Sequence, residues 1–208
     1  MNVVLYGASG MIGSRILAEL VRRGHTVKAV VRNPDKIRTS GVKAVKGDMN
    51  DEASVAATVK DADAVISAYA PPQSDPDAIV PATRSLLAGL KKANVQRIIF
   101  VGGAGSLHIA PGIPVVNGPN FPAEYKGIAL AHVKVLPVLK ASGLDWTYLS
   151  PAAVIAPGER TAKFRLGGTD LLTDGKGESR ISAEDYAIAL VDELEHPKHA
   201  RRQFTVAY

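Results

Sequence analysis

Cysteine is absent from all 208 residues, which excludes disulfide cross-links and thiolate metal sites. Such a chain suits a reducing compartment, and the cytoplasm is the expected location. Long apolar runs are missing too. Stretches such as Ile98 to Val101 fall far short of the roughly 20 residues that a membrane span needs, so no membrane partner is expected. A first strand expected from Asn2 leaves no room ahead of it for a signal segment. Of the five histidines, His25, His108, His196 and His199 lack acidic or histidine partners at ligand spacing and read as solvated loop or helix-end residues; no metal site is expected. The net charge is +5, but the basic residues are spread along the chain rather than massed in one arm, which argues against a nucleic-acid partner. There is no internal repeat and no low-complexity segment.

What is present is the profile of one globular domain over residues 1–208, with 46% hydrophobic and 22% charged residues. The apolar run Val3 to Tyr6 leads directly into Gly7-Ala8-Ser9-Gly10-Met11-Ile12-Gly13. A buried strand that ends in a glycine-rich turn and opens a helix is a dinucleotide-binding device. Gly7 permits the tight turn, Gly10 lets the backbone approach a diphosphate, and Gly13 lets the helix pack closely. The helix N-terminus, with Ser9, Met11 and Ile12 in the same turn, then faces the anion. Ser9 also reads as a helix N-cap, a role compatible with holding a phosphate oxygen. Ile16, Leu17, Leu20 and Val21 recur at helical spacing, and Thr26 to Val31 is a second apolar strand.

The alternation continues. Strands are expected at Val42 to Val45, Ala64 to Ile66, Arg97 to Val101 and Trp146 to Leu149, and helices at Glu52 to Val59, Ile79 to Ala93 and Glu124 to Ala141. This order predicts an α/β fold with a doubly wound, mostly parallel sheet. Residues 152–181 break the rhythm and read as a small C-terminal cap, with short strands at Lys163 to Leu166 and Asp170 to Leu172. Ser182 with Asp185 reads as a variant capping box opening a helix, and Gln203 to Val206 as a last strand. Loops at Pro71 to Pro76 and Gly102 to Pro122 follow strand ends and should border the cleft.

Several motifs in this order carry a resemblance: Gly-x-x-Gly-x-x-Gly, Val31-Arg32-Asn33-Pro34, Gly47-Asp48, and Ser142-Gly143-Leu144-Asp145-Trp146-Thr147 leading to Ser150-Pro151. The chain resembles an atypical short-chain dehydrogenase/reductase, and more narrowly the NAD(P)H-binding group called NADH-flavin reductases, related to NmrA-like proteins and biliverdin reductase B. The resemblance runs end to end, including Arg180-Ile181-Ser182. It implies that Asp48 bonds the adenine amino group with Met49 against the ring, that Ala68, Tyr69 and Ala70 line ribose and nicotinamide, and that Pro151 and Ala152 face the carboxamide. Asp48 reads equally as a helix cap near Asp51, and Tyr69 as a plain cleft wall. No acid stands at positions 31 to 34, and Arg32 can bond a 2′-phosphate, which favours NADP(H) over NAD(H); the plainer reading of Arg32 is a surface cation.

The family's usual Ser with Tyr-x-x-x-Lys is missing. In family register, glycine replaces the serine after Val101, Ile128 takes the Tyr position and His132 the Lys position. An isoleucine cannot transfer a proton, so alcohol oxidation or epimerisation is disfavoured. Hydride transfer from NADPH to a flavin or quinone acceptor fits, since the proton can come from water; FMN is the flavin considered. His132 is the titratable candidate, either acting on an acceptor or holding a ribose hydroxyl, against a helix histidine that caps a local hydrogen bond. Tyr125 is a weaker candidate at the helix start. Arg160, Lys163 and Arg165 read as surface charge or as a site for an anionic substrate. The partner expected is a small-molecule acceptor, and the sequence carries no signal for oligomeric state. The competing reading is a catalytically silent NADP-sensing regulator of NmrA type.

Overall fold

The computed structural model describes all residues 1–208. In chain order the elements are β1 (Asn2–Tyr6), α1 (Met11–Arg22), β2 (Thr26–Val31), β3 (Lys43–Lys46), α2 (Glu52–Val59), β4 (Ala64–Ser67), α3 (Ile79–Lys92), β5 (Arg97–Val101), β6 (His108–Ala110), β7 (Ile113–Pro114), α4 (Ala123–Lys140), β8 (Asp145–Ser150), β9 (Val154–Ala156), β10 (Arg165–Gly167), β11 (Arg180–Ser182), α5 (Ala183–Glu195) and β12 (Arg202–Ala207). One eight-stranded sheet runs in the order β10-β12-β8-β5-β4-β1-β2-β3. Every pairing in it is parallel except β10 with β12. The expected doubly wound sheet is therefore present.

Alternation along each strand divides the core into two layers. Val3 and Leu5 of β1 join Ile16, Leu17 and Leu20 of α1 and Tyr186, Leu190 and Leu194 of α5 on one face. Val4 and Tyr6 face the other way, against Val55 of α2, Leu86 of α3 and Val135 of α4. A period of 2 in the strands against 3.6 in the helices is what sorts these side chains.

Three local expectations are corrected. Asp170 to Leu172 is no strand; Asp170 makes one isolated bridge to His108. The loop Gly102 to Pro122 holds a short antiparallel hairpin, β6 with β7, which the glycines and prolines concealed. Ser182 does cap α5, its hydroxyl accepting from the Asp185 amide at 3.0 Å, but Asp185 does not return the bond. Its fully buried carboxylate instead accepts from the amides of Thr161 and Ala162, both at 2.8 Å, from the Thr161 hydroxyl, and from the Tyr208 hydroxyl at 2.9 Å. Asp185 thus ties the segment before β10 and the last residue of the chain to the start of α5. Residues 152–181 supply β10 to the sheet edge and the small parallel ribbon of β9 with β11.

Removing that carboxylate breaks several hydrogen bonds to one charged acceptor at once, each worth about 1.5–3 kcal/mol. Asp185→Ala is expected to lower the unfolding free energy in urea by about 3 kcal/mol or more, and a change under 1 kcal/mol would show that the hub is not structural.

Candidate dinucleotide site

The chain builds β1, β2 and β3 in one direction, then crosses to lay β4 on the other side of β1. Between β1 and β4, at their carboxyl ends, adjacent connections diverge to opposite faces and leave a crevice. A cavity of about 550 Å³ occupies it. Four segments line it: Tyr6, Gly7, Ser9 and Gly10 after β1; Val30, Val31 and Arg32 from β2; Lys46 to Asn50 after β3; and Ala68, Tyr69 and Ala70 after β4.

The three glycines of the first turn have separable reasons. Gly7 has φ +79°, and a Cβ there would lie 2.3 Å from the Ala68 carbonyl oxygen. At Gly13 a Cβ would meet the Gly7 carbonyl oxygen at 2.1 Å. Both are required by the protein's own backbone packing. Gly10 differs: a Cβ there has only the Gly7 carbonyl oxygen nearby, at 3.4 Å. The protein leaves room at Gly10, so any need for glycine comes from a ligand.

Gly10 is also the N-cap of α1, and it offers no capping side chain; Ser9, expected as a cap, does not serve as one. No acid lies in the first helical turn. The helix therefore presents uncapped amide donors and an uncompensated positive end beside the cavity, which is a fit for a diphosphate.

Of the residues expected to touch the cofactor, the structure gathers Gly7, Ser9, Gly10, Arg32, Asp48, Met49, Ala68, Tyr69 and Ala70 on this one cavity. Met11, Ile12, Gly13, Pro151 and Ala152 do not line it. Met11 is exposed, Ile12 packs against the core, and Ala152 is buried in it. Asp48 is not a helix cap. That role falls to Asp51, which accepts from the amides of Ala53 and Ser54. Asp48 accepts instead from the Asn50 amide and side chain, both at 2.9 Å. Burial raises the Tyr69 phenol, the Arg32 charge opposes that rise, and Asp48 and Asp75 add to it. Lys46 lines the cavity as well and escaped the sequence reading. Its one signal was its place immediately before Gly47-Asp48 at a strand end.

His132 and Tyr125 stand outside the cavity lining. Tyr125 is exposed, without a partner, in the first turn of α4. His132 packs its ring against Gly103 beyond the end of β5, where a Cβ would come within 3.2 Å of its Cβ. Its Nδ1 is buried without a partner, and burial pushes the imidazole down to about 4. The ring is thus neutral near pH 7, not poised there as the sequence reading expected. Tyr148, which sequence reasoning missed, joins these parts: its buried hydroxyl accepts from the Gly103 amide at 3.0 Å and donates to the His132 carbonyl at 3.2 Å. The Tyr148 ring also explains Gly102, since a Cβ there would strike it at 2.2 Å.

The expected basic cluster of the cap is not assembled. Arg160 makes a two-pronged bond to buried Glu19, and Arg165 donates to the carbonyls of Thr173 and Tyr208. His25 and His199 are not merely solvated. Each rests on a glutamate, Glu195 at 2.9 Å and Glu193 at 2.8 Å.

Fold and crevice together define an α/β protein with the crevice of a dinucleotide-binding sheet. Within that class, the family described as NAD(P)H-binding matches residues 7–197, and the chain belongs to it. Three solved structures, all with provisional names, are similar over 100% of the chain. An exported protein from Burkholderia pseudomallei is 48% identical with a TM-score of 0.91, covered over 100% of its own length. An epimerase from Bacteroides thetaiotaomicron is 42% identical at 0.93, covered over 96%. An NADH-flavin reductase from Streptococcus pneumoniae TIGR4 is 32% identical at 0.90, covered over 99%. No helix is long and apolar enough to cross a membrane.

Substitutions in the first turn and at His132 test this geometry. Gly13→Ala should cost about 1–3 kcal/mol of stability through overpacking. Gly10→Ala should leave the melting temperature within about 2 °C of wild type yet weaken nucleotide binding at least tenfold. Equal nucleotide affinity in Gly10→Ala would remove the diphosphate from this turn. A further outcome concerns pH. An unfolded histidine takes up a proton below about 6.5, whereas His132 in the fold resists until about 4. Its contribution is therefore complete above pH 6.5 and is lost as pH falls toward 4, by up to roughly 3 kcal/mol. Urea unfolding between pH 7 and 4.5 should show a shallower pH dependence in His132→Asn than in wild type, and parallel curves would place the ring in water.

Proposed function

We propose that the protein is an NADPH-dependent reductase that delivers hydride to a flavin- or quinone-like acceptor without a Ser, Tyr and Lys proton relay. The observation that carries this reading is the crevice between β1 and β4, with the uncapped start of α1 on one side and Arg32 on another. When bound there, NADPH supplies the hydride.

The chain's own residues bind and orient. The turn from Gly7 to Gly10 and the first amides of α1 would hold the diphosphate. Asp48 and Met49 would meet the adenine end; Ala68, Tyr69 and Ala70 would lie along the ribose and nicotinamide, with Pro151 and Ala152 offering backbone toward the carboxamide. Arg32 is exposed and in no ion pair, and no acid at the end of β2 opposes a 2′-phosphate. A flavin or quinone suits the site because it can take its proton from water, and His132, neutral and half-buried, is a poor acid. The name of the Streptococcus pneumoniae relative points the same way. A cytoplasmic setting and a small-molecule acceptor such as FMN belong to this reading, and nucleic acid and membrane do not. Residues 152–181 would act as a substrate cap within the one domain.

The test is titration calorimetry with NADPH and NADH, followed by nicotinamide absorbance with FMN, riboflavin and a quinone. NADPH oxidation that depends on an acceptor is expected, and Arg32→Ala should weaken NADPH binding about ten- to hundredfold while changing NADH binding little. Tight binding with no turnover under any acceptor would instead favour an NADP-sensing regulator, a reading that the absent proton relay also suits.

A further inference from the structure

The last residue of β3 stands beside the last residue of β2: Lys46 is the register partner of Val31, immediately before Arg32. Two cations from neighbouring parallel strands thus end at the same rim. Both side chains are exposed, both line the 550 Å³ cavity, and neither takes part in an ion pair or a hydrogen bond within the protein.

No carboxylate draws either cation away from the cavity, in contrast to the arginines that tie elements together. Arg15, Arg22, Arg23, Arg97 and Arg160 are each bound to a carboxylate. The carboxylate nearest the pair in sequence, Asp48, is occupied by Asn50. A dianion placed in the cavity would be attracted by both charges. Gly47 sharpens the arrangement. A Cβ there would lie 2.6 Å from a methyl of Val30, so the turn after Lys46 stays pressed against β2 and keeps its base next to that of Arg32.

We propose that Lys46 is a specificity-determining residue that works with Arg32 as a two-cation clamp for the 2′-phosphate of NADP(H). The proposal rests on reading the cavity as a dinucleotide site and deepens it, because it assigns the choice between the two nucleotides to a pair of strands and not to one residue. Guanidinium would supply directional paired bonds and ammonium a mobile point charge, so the two contribute differently to one phosphate. The clamp should also be sensitive to salt, since both cations are exposed.

The test compares Lys46→Met with Lys43→Met, a lysine on the same strand at its opposite end, where it faces away from the cavity. Binding of NADPH, NADH, 2′,5′-ADP and 5′-AMP is measured by calorimetry at low and high salt, with melting curves to verify folding. Lys46→Met should lower the NADPH-to-NADH affinity ratio about tenfold and weaken 2′,5′-ADP similarly, and the ratio should be unchanged in Lys43→Met. In Lys46→Met combined with Arg32→Ala, the losses should not simply multiply, because both residues act on one group. Equal effects of the two lysine variants would reduce Lys46 to general surface charge and overturn the proposal. Wild-type protein that binds NADPH and NADH alike would overturn the clamp while leaving the dinucleotide site standing, and failure to bind either nucleotide would overturn the site itself.

Discussion

Backbone packed directly on backbone, with no side chain between, holds the first turn of the molecule. The Gly7 carbonyl oxygen lies where a Cβ of residue 13 would fall, and the space a Cβ would take at residue 7 belongs to the Ala68 carbonyl. This double contact brings α1 down onto its own strand and sets the end of β4 against the turn. The crevice exists because these three pieces of chain meet closely while the connections beyond them part to opposite faces. The direction of α1, and so the aim of its uncapped amides, follows from the same contact.

Several charged side chains hold elements together. Glu19 on α1 gathers Arg22, Arg23 and Arg160, and thereby links the helix to the segment ahead of β10. Arg97, buried at the start of β5, reaches Thr147 on β8 and Glu193 on α5. Pairs of this kind fix geometry more than they add stability, because desolvation offsets much of their attraction. Arg32 and Lys46 hold no element in place; they are distinguished by lining the cavity with no carboxylate bound to either. Proton chemistry shows the opposite pattern. His132 is neutral and enclosed, and the buried Tyr148 hydroxyl is engaged by backbone on both sides, with burial holding its pKa well up.

Near-neighbour chemistry made much of the fold legible. The expected limits of α2 and β5 coincide with the observed ones, Glu52–Val59 and Arg97–Val101, since helical spacing and apolar runs depend on residues a few positions apart. The glycine turn was legible for the same reason, as was the parallel order implied by alternating strands and helices. The β6 and β7 hairpin was not, because turn-forming residues hid strands of two or three residues that are stabilised mainly by their partner.

Sequence by itself determined the class of fold, the position of the turn, and that positions 31–34 carry no acid and the chain no Tyr-x-x-x-Lys pattern. Only the tertiary structure decided which expected site residues share a cavity, that Lys46 joins them, that Asp185 closes on Thr161 and Tyr208 rather than on its own helix start, and that His132 is neutral. The physical reason is the same in each case. These outcomes are set by contacts through space and by desolvation, between residues such as Gly7 and Ala68 that lie far apart in the chain, and no local pattern encodes which distant group will arrive.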